Sequence, residues 1–269
     1  MEYRLIELDP EHPGFRDARY RARRDAIAHI ALAYRSGDPV PLAPYSEEEH
    51  AVWQGIRQAL APVHQESIAT PLLELERALD LDQERIPQLR DVNRRLRQGA
   101  GFSMEPVAGL VTPRIFMEHL GRRIFLSTQY IRHHSRPFYT PEPDVVHELV
   151  GHAASLLHPG ICALSQAFGR AALKADAQDM ERLTRIYWYT LEFGVVMEQG
   201  QVKGYGAGLL SSVGELERAC SGEVPLLDWD LDAVCALPYD PTTFQPYYVL
   251  APSFEQALSD IAAWLAVQS

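Results

Sequence analysis

The sequence predicts a mainly α-helical chain with a few short β-strands, folded as one domain over residues 1–269. Three observations carry that prediction. Apolar residues recur at helical spacing between recognisable start and stop signals. Extended apolar stretches are few, short and close to glycines. No internal repeat, low-complexity tract or long polar linker divides the chain. At 46% hydrophobic and 23% charged, 269 residues can bury a sizeable core in the manner of an ordinary globular protein.

The first dozen residues read as an extended lead-in. From Gly14 to about Ser36 a helix places Phe15, Ile27, Ile30, Ala31 and Tyr34 on one stripe, and Gly37 ends it. Arg16, Arg19, Arg23 and Arg24 fall mostly on the other side and read as a solvated face, with an anion site as the alternative. Ser46 and Glu49 have the spacing of a capping box and open a helix burying Val52, Trp53, Ile56 and Leu60. Pro71 starts a third helix, and Pro87 lies in the first turn of a fourth that closes at Gly99. Residues 1–100 thus form a helical first part, and 101–269 carry the chemistry.

Phe102–Val111 reads as a short strand and loop, and Thr112-Pro113 opens a helix stopped by Gly121. Arg123–Arg132 reads as a strand delivering Arg132-His133-His134-Ser135-Arg136. Helices are expected from about Ile161 to Ala175 and from about Asp179 to Met197. Lys203–Ser212 is tight and glycine-rich but lacks the Gly-Lys-Ser/Thr ending of a phosphate loop. Ser212 and Glu215 cap a short helix, Phe244–Leu250 reads as a strand, and Ser253 with Gln256 opens a last amphipathic helix.

A formal net charge of −11 disfavours nucleic acid and anionic membranes as partners, because both reward a positive surface. No signal-like start and no 18-residue apolar span occurs, so a cytoplasmic location is expected. Cys162, Cys220 and Cys235 have no metal-ligand spacing and read as reduced, packed thiols.

The chemistry concentrates in Tyr139-Thr-Pro-Glu-Pro-Asp-Val-Val-His-Glu-Leu-Val-Gly-His152, where Pro137, Pro141 and Pro143 stiffen the approach to an apolar helix bearing two histidines. Zinc hydrolases place such histidines at i and i+4, with a glutamate after the first. His147 and His152 are i and i+5, about 140° apart on an ideal helix at about 100° per residue. A bend or end at Gly151 is therefore expected to bring them together. A third ligand is needed, and Glu192 is the best candidate, since a carboxylate in the apolar run Ile186–Gly194 is costly unless paired or ligated. Two histidines and a carboxylate suit non-haem Fe(II) with open positions. A helix-exposed glutamate and two polar histidines remain the plain alternative. Arg132 could clamp a substrate carboxylate or form an ordinary ion pair. His133 and His134 read as surface or supporting residues, and Trp188, Tyr187 and Phe193 as core or pocket wall.

These segments resemble a known family. Ser127-Thr-Gln-Tyr-Ile-Arg-His, the Tyr139–His152 stretch, Ile186-Tyr-Trp-Tyr-Thr-Leu-Glu-Phe-Gly, Tyr205-Gly-Ala-Gly-Leu-Leu-Ser-Ser, Phe244-Gln-Pro-x-Tyr-Tyr and Gly101-Phe-x-x-x-Pro-Val-Ala-Gly-Leu110 are similar, in order, to the pterin-dependent aromatic amino acid hydroxylases. The resemblance implies a basket-like catalytic domain using Fe(II) and tetrahydrobiopterin, with dioxygen and a free aromatic amino acid as substrates. By it, His147, His152 and Glu192 match the iron ligands. Arg132, Thr140 and Ser211 match the amino acid's anchor, with Pro141 beside it, and Trp188 matches a wall of the ring pocket. Val107, Gly109, Leu110, Val111 and Phe116 match the pterin segment, Phe116 as the stacking ring, and Glu148 matches a carboxylate beside the pterin, linked partly through water.

The sequence departs from the family at several positions. Ala153-Ala154-Ser155 stands where Val-Pro follows the second histidine, so a roomier channel beside the iron is expected. Leu126 replaces a histidine near the pterin, His134 replaces a small residue near the substrate side, and Asp240–Thr243 replaces a loop associated with substrate choice. Phenylalanine is the first expectation for the substrate and tryptophan the second. A zinc hydrolase and a silent amino-acid or pterin binder are the rival readings. No regulatory domain or tetramerisation helix is expected, and hence a monomer.

Overall fold

The computed structural model describes residues 8, 10–138, 140 and 142–268. Tyr139 and Pro141, the latter an expected substrate neighbour, lie outside the described residues. The first part is four helices: α1 (Ala18–Ala33), α2 (Glu47–Ser67), α3 (Thr70–Leu79) and α4 (Leu89–Gly99). The Ser46–Glu49 capping box closes in both directions. Asp17 caps α1, so that helix starts four residues later than its apolar stripe suggests. Pro87 stands before the Gln88 cap rather than inside the first turn of α4.

The arginine face of α1 is not simply solvated. Arg24 is buried, and its Nη2 donates to Glu142 Oε2 at 2.8 Å. Arg23 pairs with Glu49 at 2.7 Å. Through these pairs α1 is tied both to α2 and to the segment leading into the site.

β1 (Ser103–Pro106) and β2 (Ile124–Ser127) pair in parallel around α5 (Pro113–Gly121). The strand expected to reach Arg132 stops at Ser127, and 128–133 run irregularly and almost wholly buried. A π-helical turn over His147–Ala153 follows, then α6 (Ala154–Leu156), α7 (Pro159–Ala172) and α8 (Ala177–Tyr187). Here the sequence reading is corrected: α8 does not continue to Met197. It passes into a second π turn, Trp188–Glu192, in which Phe193 N–H donates to the Trp188 carbonyl five residues back at 2.9 Å.

The chain then turns extended. β3 (Val195–Glu198) and β4 (Gln201–Gly204) form a hairpin whose two-residue turn, Gln199-Gly200, has φ of 51° and 79°. A turn with positive φ at both central residues matches the twist of antiparallel strands. α9 (Ala207–Leu210) and α10 (Val213–Cys220) lead to β5 (Leu226–Leu227), α11 (Leu231–Val234), β6 (Tyr248–Ala251) and α12 (Phe254–Ala266). The strands order as β4-β3-β6-β5, and the predicted Phe244–Leu250 strand is confined to β6. The main apolar core, from Val40 to Leu265, joins the helices after α1 to both sheets, while Ile27, Ala28 and Ala31 of α1 pack in two small clusters with Ala43, Tyr130 and Ala108.

Among the described residues no helix is long and apolar enough to cross a membrane. The three cysteines are free.

Candidate active site

The two π turns carry the three expected metal ligands. In a π-helix the turn closes on the fifth residue, so residues five apart share a face. His147 and His152 therefore converge without any break at Gly151; the expected bend is replaced by a wider turn. Their Nε2 atoms are 3.0 Å apart. Glu192 completes the group, with Oε1 2.9 Å from His152 Nε2 and Oε2 3.5 Å from His147 Nε2. Three donors bound at about 2.1 Å and at right angles to one another stand about 3.0 Å apart, so this is the spacing of one octahedral face.

A second carboxylate competes for the third position. Glu148 also has an oxygen within 4.8 Å of the two imidazoles. Its Oε1, however, accepts from Thr128 N–H and from Thr128 Oγ1, both at 2.9 Å. Glu192 lies 2.9 and 3.5 Å from the two imidazoles and lines the adjacent cavity, which makes it the better-placed candidate.

The supporting contacts fix the donors. The Ser211 hydroxyl donates to the Ala207 carbonyl at 2.9 Å, leaving its lone pair to accept from His147 Nδ1–H at 3.1 Å. His147 thereby keeps the tautomer whose Nε2 lone pair is free. Burial pulls the His147 pKa down to about 4, so this imidazole is neutral at pH 7. For Glu192, burial opposes ionisation, but His152 and His147 outweigh it and lower its pKa. The Ser211→Ala variant is expected to lose iron affinity by about 10–100-fold, the usual effect of removing a partner behind a metal-bound histidine. Competition with a calibrated Fe(II) chelator measures it.

The glycines of Lys203–Ser212 serve this packing. A Cβ on Gly151 would sit 2.5 Å from the Ala207 carbonyl oxygen, and one on Gly206 would sit 2.3 Å from that of Glu192. Their absence lets the Ser211-bearing segment lie directly on both π turns.

A cavity of about 310 Å³ opens on the metal face, lined by His147, Glu192, Arg132, Thr140, Trp188 and Ser211, with Leu110, Phe193, Phe244 and 241–243 around them. That volume is at the small end for ligand pockets. Arg132 is buried, and the structure shows the ion-pair reading of it. Its Nε and Nη2 grip Asp144 at 2.9 and 2.7 Å, while Nη1 reaches the Ser211 carbonyl at 3.2 Å beside the cavity. Asp144 also accepts from the Arg132 and His147 backbone N–H groups at 2.8 and 3.1 Å. One buried carboxylate thus sets the arginine and starts the metal-bearing turn.

The profile of the biopterin-dependent aromatic amino acid hydroxylases matches residues 2–268. The chain belongs to that family. It is 42% identical over 267 residues to tyrosine 3-monooxygenase of Drosophila melanogaster, covering 98% of this chain and 46% of that protein. It is equally 42% identical over 266 residues to phenylalanine-4-hydroxylase of Caenorhabditis elegans, covering 97% and 58%. The chain thus spans about half the length of these curated relatives. The phenylalanine hydroxylase of Chromobacterium violaceum, in a structure with bound iron(III) and the oxidised cofactor 7,8-dihydrobiopterin, superposes with a TM-score of 0.80 at 31% identity, covering 92% of this chain and 90% of that one.

The segment expected to meet the pterin follows β1. Val107 N–H donates to the Ser127 carbonyl at 2.9 Å, Val107 and Gly109 are buried, and Leu110 is exposed at the cavity. Val111 and Phe116 are half-buried. Phe116 stands edge-on to Phe125 and Tyr187, with centroids at 5.3 and 5.6 Å, and Phe125 lies 4.5 Å from the His152 ring. Burial raises the Glu148 pKa to about 7, against the pull of His152 and the Thr128 hydrogen bonds. Leu126 is buried in β2.

Two departures from the family can be located. Ala153, Ala154 and Ser155 are buried, Ser155 Oγ donates to the Gly151 carbonyl at 2.7 Å, and none of them lines the cavity. His134 is exposed beside His133, which contacts Asp17 at 3.3 Å, and it lines a second cavity together with Arg132 and Phe138.

Sequence reasoning missed Asp144, Gln245 and Glu215. Asp144 stands three residues before His147 at a helix start, the position of a capping acid, and that pattern could have found it. Gln245 and Glu215 carry no such signal.

Proposed function

We propose that this chain is an Fe(II)- and tetrahydrobiopterin-dependent monooxygenase that hydroxylates the ring of free phenylalanine. The observation carrying this reading is that His147 and Glu192, which stand with His152 in one three-donor group, line the same cavity as Arg132. An iron held there supplies dioxygen activation together with a reduced pterin. The residues supply placement. Arg132, held rigid by Asp144, takes the amino acid's carboxylate, and Thr140 and Ser211 flank its backbone. Trp188, half-buried against Phe193 and Tyr239 at 4.7 and 4.9 Å, walls the ring. Phe116 and the Val107, Gly109, Leu110 and Val111 segment receive the pterin, with the Glu148 carboxylate beside it. Anchoring one end of the amino acid and walling the other would hold the ring at a fixed distance from the metal, the contribution that positioning makes to such a site.

Phenylalanine is preferred to tyrosine and tryptophan because the solved relatives matching almost end to end are phenylalanine hydroxylases and because Trp188 occupies the ring wall. The test loads the chain anaerobically with Fe(II) and then adds tetrahydrobiopterin, oxygen and each aromatic amino acid, separating products by ring isomer. Phenylalanine is expected to give the highest kcat/KM. A higher value for tyrosine or tryptophan would replace the substrate, and pterin oxidation with no hydroxylated product would remove the function. The chain is further proposed to act as a monomer, which sedimentation at micromolar concentration checks.

A further inference from the structure

The side chain of Gln245 joins two parts of the cavity wall that are distant in sequence. Oε1 accepts from Trp188 Nε1–H at 2.9 Å. Nε2 donates to the Thr243 carbonyl at 3.2 Å and lies 3.4 Å from that of Asp240. The amide orientation is forced, because an indole N–H can only donate and carbonyls can only accept. Its backbone is fixed as well: Gln245 N–H donates to Glu215 Oε1 at 2.8 Å, and Tyr248 Oη donates to the same oxygen at 2.7 Å. Glu215 does not reach back to Ser212 as a full capping box would; its carboxylate serves this junction instead. Gln245 is 1% exposed and does not line the cavity, whereas Trp188 and residues 241–243 do.

We propose that Gln245 is a positioning residue for substrate selection, latching the Trp188 indole to the 240–243 loop so that ring wall and loop form one surface of fixed shape. This rests on the proposed reaction and adds to it which residue sets the ring pocket. The physical reason is that the loop is exposed and the indole only half-buried. Asp240–Thr243 is exposed, Thr242 bonds back to Asp240 within it, and Trp188 packs between Phe193 and the partly exposed Tyr239. An amide accepts through its oxygen and donates through its nitrogen, so one side chain of this length couples them. Glutamate at this position could still accept from the indole but could not donate to the loop carbonyls, and methionine could do neither.

The test uses Gln245→Met and Gln245→Glu in the iron-loaded chain. One readout needs no turnover. The indole N–H resonance of Trp188, assigned with Trp188→Phe, is expected to lose its hydrogen-bond shift in Gln245→Met and keep it in Gln245→Glu, while amide exchange in 240–244 accelerates at least about tenfold in both. The second readout is kinetic: the KM for phenylalanine is expected to rise about tenfold with kcat within about threefold, and the phenylalanine-to-tryptophan ratio of kcat/KM to fall about tenfold. Unchanged indole shift and loop exchange in Gln245→Met would overturn the latch. Altered shift and exchange with an unchanged substrate ratio would overturn its role in selection. So would equal losses of kcat, iron and melting temperature in both variants, which mark a merely structural residue. If the parent chain hydroxylates no aromatic amino acid, the proposed reaction fails, and the indole and exchange readouts still decide whether the latch exists.

Discussion

His147→Ala is expected to purify with almost no iron and, in the proposed reaction, to hydroxylate phenylalanine at least roughly 10³-fold more slowly than the parent chain, because a bound metal would supply the reactive oxygen. The effect should exceed the about 10–100-fold loss expected on removing a partner behind a ligand. His152 and Glu192 cannot compensate, since two donors 2.9 Å apart define an edge rather than a face. Glu192→Gln provides the companion case. It keeps an oxygen donor but loses the charge that offsets the metal, so weakened iron retention with a smaller loss of rate is expected. Iron per chain by elemental analysis, together with turnover after reloading, separates lost binding from lost reactivity. An iron-replete, active His147→Ala would place the metal elsewhere.

Arg132 is expected to give the second largest effect, acting on two levels. Arg132→Leu leaves Asp144 buried without its side-chain partner, and breaking such a pair costs about 3–5 kcal/mol of stability. Arg132→Lys retains a charge but cannot reproduce a two-pronged grip on Asp144. In this milder variant the KM for the amino acid is expected to rise about 100-fold, equivalent to about 2.8 kcal/mol, while the KM for the pterin changes little. Varying each substrate at saturating concentrations of the other checks this. Equal changes in both would assign Arg132 to the scaffold alone.

The helices with strong local signals were readable from the sequence. Ser46 with Glu49, Thr112-Pro113 and Ser253 each cap a helix where expected, because capping needs only neighbours in sequence. The errors arise where tertiary packing overrides local pattern. The π turns at His147–Ala153 and Trp188–Glu192 have the composition of ordinary helix, and nothing local marks the wider winding. The His-x-x-x-x-His spacing was the available clue: an α-helix would set the imidazoles apart, whereas a turn closing on the fifth residue brings them together. Val195–Glu198 continues an apolar run yet is a strand, because the Gln199-Gly200 turn and pairing with β6 claim it. Arg24 looked solvated on a polar face, and the groups that cover it, Glu142 and the Tyr130 ring at 4.3 Å, are distant in sequence. Gln245 is the extreme case, since its partners lie 57 residues upstream and on the adjoining loop.

In the proposed reaction one three-donor iron face and an anchored phenylalanine share a cavity in which a reduced pterin and dioxygen hydroxylate the ring. A single turnover under ¹⁸O₂, with the Fe(II)-loaded chain, tetrahydrobiopterin and phenylalanine, tests it most directly. The expected result is one ¹⁸O atom in the ring hydroxyl of the product, with no product when either iron or pterin is omitted. Ring hydroxyl oxygen drawn from water, or product formed equally well without iron, would contradict it.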